Sequence, residues 1–204
     1  MKILLIGDVP LKSLWDFYDE SKLKGIDLIL SSGDLPAAYL SFLVTFAPCP
    51  VLYVHGNHDE RYAEKPPEGC ICVEDTIYEY NGLRILGLGG SMRYRPGKFQ
   101  FTEKEMMRRA RKMKGKIRRK KGFDILLTHA PACGVNDQED LPHHGFQTFV
   151  MLMDKYQPKY MIHGHVHMNY TYGAERITQY QNTTVINSYE KYLLEICMIR
   201  VLEI

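Results

Sequence analysis

Five short apolar runs, each ended by a cluster of polar residues, constrain this chain more than any other feature. They are "KILLIGD" (2–8), "DLILSSGD" (27–34), "VLYVHGNHD" (51–59), "DILLTH" (124–129) and "KYMIHGHVH" (159–167). Each run is nearly continuous in apolar character, so each reads as a strand covered on both faces. Between the early runs, Leu11 to Leu23 and Ala37 to Phe46 carry helical potential. Strand and helix in alternation predict an α/β fold with a largely parallel sheet. Within Thr76 to Leu88, two β-rich runs flank Asn81-Gly82, which predicts a hairpin. From Tyr170 onward, "RITQYQNTTVINS" and "YLLEICMIRVLEI" also read as β. A second sheet, mixed or antiparallel, is therefore expected beside the first.

The 204 residues are expected to form one domain over 1–204, burying roughly 70% of the unfolded surface. With 45% apolar and 25% charged residues the composition is that of a globular protein in water. No apolar run approaches the ~20 residues of a membrane span, so no membrane partner is expected. The start "MKILLIGD" reads as a first strand, since its apolar stretch is too brief for a signal peptide. Five cysteines lack a disulfide framework spacing, and Cys70-Ile-Cys72 has no matching second pair. Free thiols in a reducing cytoplasm are the expectation, without a structural zinc site. Oligomeric state is not legible.

The net charge of +2 hides an asymmetry: 102–121 holds 11 Lys and Arg against two Glu, leaving the rest net acidic. Met106, Ala110, Met113 and Ile117 fall on one face if this segment is helical, so a docked helix with a solvated outer face is expected. The competing use of the basic helix 102–121 is tracking nucleic-acid phosphates. No aromatic residues interleave its charges, which leaves that use in the minority.

The polar residues that end the runs carry the chemistry. Asp8, Asp34, Asn57-His58-Asp59, His129 and the pair His165 and His167 all follow predicted strands. In α/β sheets such strand ends gather at one edge. Taken singly, Asp8 and Asp34 read as turn residues, "GNHD" as a loop, and His129 as a strand-end histidine. Taken together, carboxylate and imidazole donors delivered by five segments point to a transition metal: Mn, Fe, Zn or Ni rather than Ca or copper. A carboxylate shared by two such ions is the arrangement of two-metal hydrolysis. In "GLGGSMRYRPG", Ser91, Arg93 or Arg95 could face a substrate phosphate, Arg93 first among them, although a surface-loop arginine is the more ordinary reading. His143 and His144 either cover the pocket or belong to a loop. His55 and His163 read as core or supporting residues.

The series Gly7-Asp8, "GDL" at Gly33, "GNHD" at Gly56, Thr128-His129 and "GHVH" at Gly164 resembles the motifs of the calcineurin-like metallophosphoesterases. The stretch "THAP…GVND…HHGF" is similar to their small phosphodiesterase-like branch. The resemblance implies a two-sheet β-sandwich flanked by helices, a four-layer α/β/β/α fold. It implies a bridging Asp34, a second metal held also by Asn57, His129 and His165, and a first metal held by Asp8 and His167. It implies hydrolysis of a small phosphate ester, a phosphodiester ahead of a monoester, by a metal-activated hydroxide. His58 would be the general acid, oriented by Asp59.

One position departs from the pattern. The first motif is Asp-x-His in that superfamily and Asp8-Val9-Pro10 here. Proline offers no ligand, so the first metal is expected to be held more weakly. Two other uses of the same fold stand beside the enzyme: a nuclease employing helix 102–121, and a non-catalytic binding or scaffold protein.

Overall fold

The structure, a computed structural model, describes residues 1–169 and 175–197. In chain order the strands of the first half are β1 (Lys2–Gly7), β2 (Leu28–Ser31), β3 (Val51–Tyr53), β4 (Ile71–Cys72), β5 (Thr76–Tyr80) and β6 (Leu83–Leu88). They are followed by β7 (Ser91–Met92), β8 (Gln100–Phe101), β9 (Ile125–Thr128) and β10 (Tyr160–His163). The last described strands are β11 (Ile177–Tyr180), β12 (Thr183–Asn187) and β13 (Glu190–Glu195). Three α-helices accompany them: α1 (Ala37–Phe46), α2 (Glu103–Arg119) and α3 (Gln147–Tyr156).

The strands form two large sheets. The first has the order β13-β1-β2-β3-β4 and the second β11-β12-β10-β9-β6-β5, with β7 and β8 as a separate pair. In the first sheet β1 to β4 run parallel; in the second β6, β9, β10 and β12 do. Antiparallel strands close the edges at β13, β5 and β11. The C-terminal β segments thus do not build a sheet of their own: β13 joins the first sheet, and β11 and β12 the second. Residues 170–174 and 198–204 of that predicted region lie outside the described residues.

The continuous apolar runs follow from this layering. Ile3, Leu5, Leu28 and Leu30 pack between the sheets against Ile85, Ile125, Leu127 and Ile162. The alternate residues Leu4, Ile6 and Ile29 face the other way, onto Tyr39, Leu40 and Leu43 of α1. Likewise Leu126 and Met161 face Met106, Ala110, Met113 and Ile117 of α2 and Phe149 and Met153 of α3. Every central strand therefore needs apolar residues in both registers. The result is the expected stack of helix, sheet, sheet and helices.

Local signals behave as their chemistry dictates. Asn81 and Gly82 both take positive φ, and Tyr80 pairs with Leu83 across the turn. Thr102 and Glu105 form a reciprocal capping box at the start of α2. The expected helix over Leu11–Leu23 is absent. Two short 3-10 turns, Lys12–Leu14 and Glu20–Leu23, stand in its place. The span inserts its apolar side chains locally under α1: Trp15 stacks on Tyr39 with ring centroids 5.1 Å apart. That packing needs no continuous helical face.

Candidate metal centre

The carboxyl ends of β1, β2, β3, β9 and β10 meet at one edge of the sandwich and present Asp8, Asp34, Asn57, His129 and His165 there. Asp8, Asp34 and His165 all have left-handed backbones, with φ of 65°, 57° and 67°. Three non-glycine residues in that sparsely populated region, at three strand ends, mark a place where the chain accepts strain to aim side chains.

The tightest part of the cluster surrounds His129, which is fully buried. Its Nδ1 faces the Ser32 carbonyl at 2.9 Å, which fixes the ring and leaves Nε2 pointing inward. Nε2 lies 3.0 Å from Asn57 Oδ1 and 3.3 Å from Asp34 Oδ2. His165 adds a third imidazole-or-carboxylate donor, its ligand atom within 4.8 Å of those of Asp34 and His129. Its Nε2 donates to the Pro142 carbonyl at 2.7 Å, so Nδ1 carries the free lone pair. Several lone pairs thus converge on one point, which is the condition a cation satisfies.

Without an ion, the same cluster concentrates negative charge around His129. Burial opposes ionisation of Asp34, but the neighbouring His129 outweighs it and holds the carboxyl below its ordinary range. Burial also disfavours charge on His129, yet Asp34, Asp8 and Asp59 hold its pKa above the usual imidazole value. Burial and the nearby His129 push His165 downward, toward the neutral form that binds metals.

Asp8 completes the pocket from the other side. Its Oδ1 accepts the His165 amide at 2.8 Å, while its buried Oδ2 has no hydrogen-bond partner among the described residues. Burial raises its pKa from 3.8 to about 6. A buried carboxylate oxygen without a donor is costly, and a divalent cation would satisfy it. The residues present therefore fit a metal centre. His167 is more remote: its Nε2 is 4.0 Å from Asp8 Oδ1 and its side chain is 38% exposed. No side-chain ligand comes from Pro10.

Two glycines explain why the motifs read as they do. A Cβ on Gly56 would fall 2.0 Å from Asp34 Oδ1, and one on Gly164 2.6 Å from Asp8 Oδ2. The carboxylates occupy space that any other residue would fill.

Two neighbouring residues, Asp59 and Arg93, differ from the sequence-based expectation. Asp59 does not orient the His58 ring. Its Oδ2 accepts the Gly56 and Asp34 amides at 2.7 and 2.8 Å, so it clamps the two metal-site loops together. The ring of His58 instead has Nδ1 3.4 Å from Arg95 Nη2, and its backbone amide donates to Asp34 Oδ1. Arg93 is committed elsewhere, to the Gln100 carbonyl and to Glu105 of the α2 cap. From the same loop, Tyr94 reaches the centre: Asn57 Nδ2 donates to its hydroxyl at 3.4 Å. Proximity in sequence does not separate the two arginines; the chain bends after Met92, and Arg93 and Arg95 go to different partners. His55 and His163 play supporting roles, bonded to Glu74 and to the Gly164 carbonyl.

The basic surface of α2 is partly neutralised. Arg109 pairs with Glu74 and Asp75, and Lys120 with Glu79. Glu74 also accepts from the His55 and Gly89 amides, so the helix braces the loops behind the centre.

Fold and site together define a four-layer α/β protein with carboxylate and imidazole groups, a candidate metal centre, gathered at the strand ends. The sequence model of the calcineurin-like phosphoesterases matches residues 1–169, and the chain belongs to that family. No curated protein matches it. Among solved structures, TT1561 of Thermus thermophilus is similar with a TM-score of 0.67 at 17% identity, over 93% of this chain and 89% of that one. GAP50, described as the anchor in the inner membrane complex of Plasmodium, is similar with a TM-score of 0.56 at 12% identity, over 92% and 70%. At these identities the likeness is one of fold. Among the described residues no helix is long and apolar enough to cross a membrane.

Proposed function

We propose that the chain is a metal-dependent phosphodiesterase acting on a small phosphodiester. The observation that carries the metal-dependent reading is the convergence of Asn57 Oδ1 and Asp34 Oδ2 on His129 Nε2, beside the partnerless Oδ2 of Asp8. Asp34, Asn57, His129 and His165 would hold one divalent ion, Mn, Fe, Zn or Ni. Asp34, Asp8 and His167 would hold a second, more weakly. Bound cations at such a site lower the pKa of water and neutralise phosphoryl oxygens.

The chain's own groups supply the rest. The His129 ring is kept in one tautomer by the Ser32 carbonyl, and the Asp34 loop is kept in place by Asp59. His58 is exposed at the rim, and its ring would donate a proton to the departing alkoxide. Arg95, beside that ring, would pair with a non-bridging phosphate oxygen and position the ester. The preference for a diester rests on the "THAP…GVND…HHGF" stretch. A small substrate is preferred over a polynucleotide because Arg109 and Lys120 of the basic helix are already paired.

Hydrolysis of bis-p-nitrophenyl phosphate and p-nitrophenyl phosphate, with Mn, Ni, Zn, Co or Mg added, tests the reading. Faster cleavage of the diester, and a loss of about 10²-fold or more in His58→Ala, are expected. No cleavage with any metal, or full activity in that variant, would overturn the mechanism.

A further inference from the structure

A second cluster of metal-binding donors lies outside the centre described above, in the loop between β9 and α3. Cys133, Asp137 and His144 each offer a ligand atom, and these atoms lie within 4.8 Å of one another. Cys133 Sγ is 3.9 Å from His144 Nε2, and Asp137 Oδ2 is 3.5 Å from His144 Nδ1.

The loop that carries them is built. Ala132 bridges to both Val135 and Phe146, and the Cys133 amide donates to the Phe146 carbonyl at 3.2 Å. This ladder sets Cys133 beside His144. Asp137 spans the remaining gap, accepting the Gly134 and Gly145 amides at 3.0 Å each. All three side chains are partly exposed, so an ion can enter and a water can occupy an open position.

From this juxtaposition we propose that Cys133, Asp137 and His144 form a separate zinc site, with solvent as the fourth ligand. One sulfur, one imidazole and one carboxylate are a donor set suited to Zn²⁺ and poorly suited to Ca²⁺ or Mg²⁺. A thiol–imidazole–carboxylate relay is the rival use of the same three groups. A relay needs no metal, so ligation of a bound ion by the thiolate separates the two uses. The cysteine spacing in the sequence spoke against zinc because it seeks pairs of cysteines. Here a single cysteine is completed by His and Asp.

The site would brace the phosphoesterase centre from outside. Between Asp137 and His144 runs Pro142, whose carbonyl holds His165 Nε2. The His143 ring lies against His165, with centroids 5.2 Å apart. An ion that ties Asp137 to His144 shortens the free loop carrying both contacts.

Cobalt titration of the full chain distinguishes this site from the main centre, which has no sulfur ligand. A near-ultraviolet thiolate-to-cobalt charge-transfer band with the intensity of one cobalt–sulfur bond per chain is expected once all sites are filled. It should persist in Asp34→Asn and vanish in Cys133→Ser. His144→Ala, a change at a half-exposed ring that leaves the core intact, should weaken cobalt binding at the band by at least about tenfold. The proposal is overturned by the absence of a band in the parent, by its survival in Cys133→Ser, by its loss in Asp34→Asn, or by unchanged affinity in His144→Ala.

Discussion

The two halves of the metal centre are built to different standards. On one side Asp34, Asn57, His129 and His165 close on each other within hydrogen-bonding or ligand distances, and Asn57, His129 and His165 are buried. On the other, Asp8 waits with one unpartnered oxygen, His167 stands 4.0 Å off and partly in solvent, and residue 10 is proline. The tight half is held by outer contacts: Ser32, Asp59 and Pro142 each fix a member of it. In the looser half the His167 ring lies against Tyr189, with centroids 5.0 Å apart, and stays partly in solvent. A site can therefore be half preorganised, and each half should respond differently to substitution.

The largest effect should come from the residue common to both. Asp34→Asn removes a charge that both ions would share, and should lower diesterase activity about 10³-fold or more, measured with saturating Mn²⁺. An activity within tenfold of the parent would erase the distinction between the halves. Second is the cost of Asp8. Its pKa is raised from 3.8 to about 6 by burial, so the folded chain prefers it protonated. That preference is fully present below about pH 4 and lost as pH rises through about 6, where ionised Asp8 destabilises the metal-free protein. At about 1.4 kcal/mol per pKa unit, Asp8→Asn should stabilise chelator-treated protein on the order of 3 kcal/mol at pH 8 and not at pH 4. Urea denaturation at both pH values checks this, and equal shifts would show that burial is not the cause.

Third, Pro10→His restores a donor to the weaker half. Affinity for the second equivalent of Mn²⁺ in calorimetry should rise about tenfold, with the first equivalent unchanged. Equal tightening of both would mean that the halves are not independent. The smallest effect is expected far from the comparison. Lys112→Gln with Lys114→Gln, on the exposed face of α2, should leave diesterase activity and its salt dependence unchanged. A steep loss with added salt in the parent, relieved in the variant, would revive the nuclease reading.

Much of this was legible in the chain. The doubled burial of Leu4 and Leu5, one facing each layer, shows in the unbroken run "KILLIG", and it fixes a strand between two layers. Asp8, Asp34, Asn57, His129 and His165 announce themselves because each follows such a run. What was not legible is what depends on side-chain direction. Asp59 lies next to His58 in sequence but turns to the backbone of Gly56 and Asp34. Arg93 and Arg95 are two residues apart and serve different partners. Leu11–Leu23 has helical composition, yet aromatic packing under α1 settles it into short turns instead. The pairing of Cys133 with His144 depends on a loop ladder, and spacing carries no trace of it.

The bond from the His165 amide to Asp8 Oδ1 joins residues 157 apart in sequence. A contact of such sequence separation ties the two ends of the motif series to one another. The carboxylate at the start of the chain thus stays without its backbone donor until the fifth motif has emerged and docked. The burial of Asp8 and the aim of its free oxygen are therefore properties that the first motif holds only jointly with the fifth.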